Sequence, residues 1–126
     1  MVCNISDAST LYFSSQAKEA GFSVAPLSVT IGGNTYRIFD EVSSAVFVDL
    51  IQQGNMPTSS QPAAGEVCAL YEQYPDDEIL NISMADGLSG TYASAVAAFE
   101  LYENKNITVL NSRTLCGPIV IWLRRR

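Results

Sequence analysis

The chain has 126 residues, 48% of them hydrophobic and 16% charged, which supplies the core of one folded domain and excludes a disordered polyampholyte. A net charge of −6 gives no basic face for nucleic acid or an anionic membrane, and the one basic cluster, Arg124-Arg125-Arg126, is a solvated terminal run. Histidine is absent, which removes Ser-His-Asp and Cys-His mechanisms and the commonest metal ligand.

Along the chain, Val2 to Ser6 predicts a short buried strand ending at Asp7. Ser9 or Thr10 is the expected cap of a helix running to Ala20, with Gly21 in the glycine position beyond its end. The β-branched run Val24 to Ile31 predicts a strand, and Gly32-Gly33-Asn34 a hairpin turn into Thr35-Tyr36-Arg37. Ser43 or Ser44 caps the next helix, with Val46, Phe47, Leu50 and Ile51 on one apolar face and Gly54-Asn55 at its end. Pro62 is expected at the first position of a helix carrying Val67, Leu70, Tyr71 and Tyr74, stopped by Pro75. Glu78 to Ser83 is a strand. Ser89 then caps a helix to about Glu103, buried through Tyr92, Val96 and Phe99 beside a run of small residues. Asn104-Lys105-Asn106 is a turn, and Ile107 to Leu110 a further strand. Strands alternating with helices predict an α/β domain whose mostly parallel sheet is flanked by helices.

The cysteines, Cys3, Cys68 and Cys116, are odd in number, widely spaced and without a Cys-x-x-Cys pair. That argues against a disulfide framework or a zinc site and for a reducing compartment, so a cytoplasmic location is expected. Cys3 and Cys68 lie among apolar residues and read as small core side chains. No charged segment leads into an apolar signal region, and the late apolar run Ile119 to Leu123 is too short to span a bilayer. No membrane span is expected. The acidic pairs Asp40-Glu41 and Asp76-Asp77 read as loop residues, not as a metal site.

Two hydroxyl-rich turns carry the functional signal: Pro57-Thr58-Ser59-Ser60-Gln61-Pro62 and Asp86-Gly87-Leu88-Ser89-Gly90-Thr91-Tyr92. Each precedes a helical pattern. A helix N-terminus offers unpaired N–H groups and partial positive charge, so either turn suits a carboxylate or phosphate. The plainer reading is a pair of ordinary caps. The glycines around Ser89 stand at the wrong offsets for a nucleophile elbow, no histidine can act as its base, and Lys18 and Lys105 lie away from both turns. No Gly-Lys-Ser/Thr phosphate loop occurs, and no cofactor is expected.

On these residues the chain resembles the DegV family of bacterial lipid-binding proteins. The matching segments are Ile5 to Thr10, Ala25 to Val29 with Ile31-Gly32-Gly33, the two hydroxyl turns, and Asn111-Ser112-Arg113 where the family has Asp-Ser-Arg. The likeness covers about the first 118 residues. It implies a non-enzymatic protein that binds one long-chain fatty acid and carries it as a subunit of fatty acid kinase, the ATP-dependent step belonging to a separate partner. It implies that Ser59 and Ser89 hold the carboxylate, with Thr58, Ser60, Gly90 and Thr91 as the next residues around it. Ser59 stands where the family has threonine. The family is longer and carries a second α/β domain over the acyl tail. Residues 1–118 are therefore expected to form the family's N-terminal domain without the second one, and 119–126 an atypical tail that does not resemble the family's helix. The alternatives are a hydrolase using Ser89 as nucleophile and a truncated remnant that binds nothing.

Overall fold

Four short apolar segments pair as an all-parallel sheet in the computed structural model, which describes residues 1–103 and 106–124. In chain order the elements are β1 (Val2–Asp7), α1 (Ser14–Ala20), β2 (Phe22–Ala25), β3 (Ser28–Ile31), β4 (Asn34–Arg37), α2 (Ser44–Gln52), β5 (Thr58–Ser60), α3 (Ala64–Tyr71), β6 (Glu78–Ser83), α4 (Thr91–Leu101), β7 (Ile107–Asn111) and α5 (Gly117–Arg124). The parallel sheet has the order β2-β1-β6-β7, and β4-β3-β5 form a small antiparallel sheet. The expected α/β architecture is present.

Strand alternation divides the core between the two faces of the parallel sheet. Ile5 and Ile79 pack with Val67, Tyr71, Ala95 and Ala98, so α3 and α4 cover one face. Val24 and Ile82 pack with Ala17, Ile119 and Leu123, so α1 and α5 cover the other. Residues 117–124, which include most of the expected tail, thus form a helix with Ile119 and Leu123 buried. Arg124 donates to the Tyr12 hydroxyl at 2.7 Å; Arg125 and Arg126 lie outside the described residues.

Several local expectations are corrected. No helix starts at Ser9 or Thr10. Asp7 caps a single 3-10 turn over Ala8–Thr10, Leu11 turns left-handed at φ 64°, and α1 begins only at Ser14. The Gln16 side chain accepts from the Phe13 N–H, and Asp40 accepts from the Ser14 backbone and hydroxyl. The run Val24 to Ile31 is two strands in two sheets, because Pro26 cannot donate to a ladder and the chain leaves the parallel sheet there. The hairpin is as expected, with Gly32 and Gly33 at φ 60° and 81°.

Pro62 does not open α3. It is buried ahead of Ala63, whose N–H is accepted by Glu66, and the chain is still extended where it leaves β5. The helix before Pro75 ends at Tyr71, well short of the proline. α4 ends at Leu101, and its buried stripe is Thr91, Ser94, Ala95 and Ala98 in place of Tyr92, Val96 and Phe99. Small side chains let the helix axis approach the sheet, and Phe99 fills the margin of the core. The turn expected at 104–106 falls largely outside the described residues.

α2 is capped by Ser43 as expected, its hydroxyl accepting from the Val46 N–H at 3.3 Å. Its apolar face, however, is not core: no residue of α2 is buried, and Val46, Val48 and Ile51 are roughly half exposed. No described helix is long and apolar enough to cross a membrane.

Candidate functional site

Thr58, Ser59 and Ser60 do not form a helix-terminal turn. They are β5, paired antiparallel to β3, with Thr58, Ser59 and Ser60 opposite Thr30, Val29 and Ser28. The helix-terminus argument therefore does not apply to this segment. A strand sends successive side chains to opposite faces. Ser59 shares the Val29 face, which lines a groove of about 430 Å³ beneath α2 with Ile38, Phe39, Phe47 and Val48. Thr58 and Ser60 take the other face, where Thr30 and Thr35 pair their hydroxyls at 2.8 Å. Phe39 reaches the groove from a left-handed backbone, φ 72°, and its ring meets Phe13 edge-on at 5.8 Å. Such a conformation in an aromatic residue is costly and is retained where surrounding packing dictates it.

The second segment follows β6 directly, at the carboxyl end of the parallel sheet. β1 is followed in sequence by β2 on one side and β6 by β7 on the other, so the order in which strands are added reverses between β1 and β6 while the strands stay parallel. Ligands of open α/β sheets sit at such a reversal. Gly90, not Ser89, is the N-cap residue of α4. The Ser89 hydroxyl accepts from the Thr91 N–H at 3.3 Å and shares a 2.9 Å hydrogen bond with the Thr91 hydroxyl. Ser89 is half-buried and Thr91 buried, so this pair is oriented beside the first-turn N–H groups of an 11-residue helix. Nothing in this arrangement activates a nucleophile: the partner of Ser89 is another hydroxyl, which is no base at neutral pH.

Two residues that carry the geometry were not singled out from the sequence. Asp7, buried at the end of β1, accepts from the Ser9 N–H at 2.9 Å and the Met84 N–H at 2.8 Å, clamping the loops after β1 and β6. The signal was an acidic residue closing an apolar strand. Gln61 is the other. Its side-chain amide lies on Gly90, so the two hydroxyl segments meet there. Behind them a buried network fixes β6: Asn81 donates to the Tyr71 hydroxyl at 2.9 Å, Tyr71 to the Ala95 carbonyl at 3.2 Å, and Ser83 to Asn81 at 3.1 Å. Burial pushes the Tyr71 phenol up to about 12 against the Asn81 hydrogen bond. At the rim, the Asn111 side chain holds the Asp86 carboxyl below its ordinary value, with the Gly87 N–H and the Arg113 charge acting the same way against partial desolvation.

The site thus brings Ser59 to an apolar groove and Ser89, Gly90 and Thr91 to a helix N-terminus, and it turns Thr58 and Ser60 away from the groove.

Residues 4–124 match the family described as "Uncharacterised protein, DegV family". A DegV domain-containing protein of Listeria innocua is 38% identical over 113 residues, covering 86% of this chain and 40% of that protein. A DegV domain-containing 15.5 kDa protein of Staphylococcus aureus is 38% identical over 100 residues, covering 78% of this chain and 71% of its own length. Among solved structures, Bacillus subtilis DegV, described as a fatty acid binding protein, is 27% identical with a TM-score of 0.84, covering 98% of this chain and 45% of that one. The Streptococcus pneumoniae fatty acid kinase B3 protein, solved with linoleic acid, shares the fold at 16% identity and a TM-score of 0.79, covering 99% of this chain and 46% of that one. The chain spans less than half the length of the Listeria, Bacillus and Streptococcus proteins it matches.

Proposed function

The chain belongs to the DegV family, and from that premise we propose that it binds one long-chain fatty acid. The carboxylate is held by the hydroxyls of Ser59 and Ser89, and the acyl chain runs along the groove under α2. The observation that carries this reading is the placement of Ser59. With Ser43 and Ser44 at the start of α2, it supplies the hydroxyls of a groove whose other walls are apolar, among them Val29, Ile38, Phe39, Phe47 and Val48. A polar group at the edge of hydrocarbon suits a ligand with one polar end and a long apolar remainder.

Ser89, Gly90 and Thr91 form the second half of the head-group site. The α4 N-terminus supplies N–H groups and partial positive charge for the carboxylate. Thr58 and Ser60 support it through the β5 backbone, since their side chains take the opposite face. The fatty acid is then presented to a separate ATP-dependent kinase subunit. Phosphoryl transfer is left to that partner, in keeping with a chain that has no Gly-Lys-Ser/Thr loop and no histidine. The Thr91 partnership of Ser89 favours this binding role over a nucleophilic one.

Native mass spectrometry and lipid extraction of the purified protein test the reading. The expected result is a bound long-chain fatty acid, reduced in Ser89→Ala and in Ser59→Ala. A protein that carries no lipid and binds neither palmitate nor oleate overturns it.

A further inference from the structure

We propose that Gln61 is a positioning residue for the carboxylate site, and that Gly90 is glycine in order to admit the Gln61 side chain. Gly90 has φ −73° and ψ 4°, a backbone any L-residue adopts, so its conformation gives no reason for glycine. Space does. A Cβ built on Gly90 would overlap the Gln61 amide, coming within 2.7 Å of Nε2. A Cβ on Gly65, Gly87 or Gly117, also at ordinary φ, meets nothing within 4 Å. The close approach belongs to Gly90 alone among these four.

The two residues belong to different halves of the fold. Gln61 directly follows Ser60 and is carried by β5, which is held to β3 in the antiparallel sheet. Gly90 adjoins Ser89 and opens α4 on the parallel sheet. Packing of α3 on α4 through Val67, Tyr71, Ala95 and Ala98 sets the coarse distance between the halves. Gln61 on Gly90 sets the fine distance between the Ser59 and Ser89 hydroxyls. Pro62 is buried and confines the backbone of Gln61 to extended conformations, while the Gln61 side chain is exposed, so a methyl on Gly90 displaces the amide from its place against the α4 N-terminus. A carboxylate shared between two hydroxyls is sensitive to shifts of this size, because a hydrogen bond weakens steeply once its distance and angle leave the normal range.

The functional readout rests on the fatty-acid reading above; the contact itself does not. Four versions of the 126-residue chain decide the proposal: wild type, G90A, Q61A and the double Q61A/G90A. Each is titrated with oleate by calorimetry and compared without ligand in 1H–15N spectra. G90A is expected to weaken oleate binding about tenfold, the scale of one hydrogen bond pulled out of geometry. Q61A also weakens it, and the double variant binds no worse than Q61A, because the new methyl has room once the amide is gone. Without ligand, the Ser59 and Ser60 amide shifts move in G90A and return to their Q61A positions in the double variant. Additive losses in the double variant, or G90A binding as tightly as wild type, overturn the proposal. Should wild type itself bind no oleate, the fatty-acid reading fails, and the spectra alone decide the contact: unmoved Ser59 and Ser60 amides in G90A overturn it. Should G90A fail to fold, a folded double variant supports the clash and an unfolded one overturns it.

Discussion

Ser59 stands directly opposite Val29 across the β3–β5 ladder, and both side chains face the apolar groove beneath α2. The register assigns different tasks to three adjacent hydroxyls. Ser59→Ala is expected to weaken oleate binding about tenfold, as for loss of one hydrogen bond to a charged group. Thr58→Ala and Ser60→Ala are expected to stay within about threefold of wild type, since neither side chain shares the Ser59 face. Calorimetric titration of the three variants checks the pattern, and equal losses at all three would contradict it.

Asp7 joins the loops after β1 and β6 through the Ser9 and Met84 N–H groups. Asp7→Ala leaves both donors buried and unsatisfied. The expected cost is about 2–6 kcal/mol in urea unfolding, from two orphaned groups at roughly 1–3 kcal/mol each. Asp7→Asn keeps one acceptor oxygen and is expected to lose about half as much.

The Tyr71 hydroxyl accepts from Asn81 and donates to the Ala95 carbonyl. Tyr71→Phe orphans the buried Asn81 donor and is expected to cost about 1–3 kcal/mol. The pH dependence has a definite sign. Burial raises the folded-state phenol to about 12, while the unfolded phenol ionises near its ordinary value. Between those values the unfolded chain binds fewer protons, so stability falls as pH rises through that window. Denaturation measured from pH 8 to 12 is expected to show this decline in wild type and a shallower one in Tyr71→Phe.

Asp86 titrates below its ordinary value, chiefly through the Asn111 side chain. A depressed carboxyl stabilises the folded state above the unfolded value, and that stabilisation disappears as pH falls through the folded one. Asn111→Ala is therefore expected to be less stable than wild type in urea unfolding at pH 7, and the difference is expected to shrink as pH falls through the range in which Asp86 protonates.

Val48 lines the groove and is about half exposed. Val48→Asp places a charge beside the proposed acyl path without removing a buried contact. Its melting temperature is expected within a few degrees of wild type, since exposed substitutions change stability by about 0.5 kcal/mol or less. Oleate binding is expected to fall by more than about tenfold, as an unpaired carboxylate meets hydrocarbon. Unchanged binding would remove α2 from the site.

Much of the architecture was legible because it is written in local periodicity. Glu78–Ser83 and the strand from Ile107 follow from apolar runs, and the β3–β4 turn from Gly32-Gly33-Asn34. The alternation of strands and helices fixes the α/β class before any contact is known. The second hydroxyl segment was also legible, because its strand, turn and helix are consecutive in the chain. Ser89 and Gly90 differ by one residue as the cap, a shift within ordinary uncertainty of helix ends.

What the sequence by itself determined is the set of elements whose stabilising partners lie within a few residues. What only the tertiary structure decided is every assignment that depends on a distant partner. Thr58-Ser59-Ser60 is polar and flanked by prolines, so locally it resembles a turn; it becomes β5 because β3, some thirty residues earlier, supplies its ladder. The apolar stripe of α2 looks like core until the fold leaves it half exposed above a groove. Gly90 resembles a helix-end glycine until Gln61 is found where its side chain would be. Local propensity sets which conformations are cheap, and the backbone hydrogen bonds and close contacts of the assembled fold select among them.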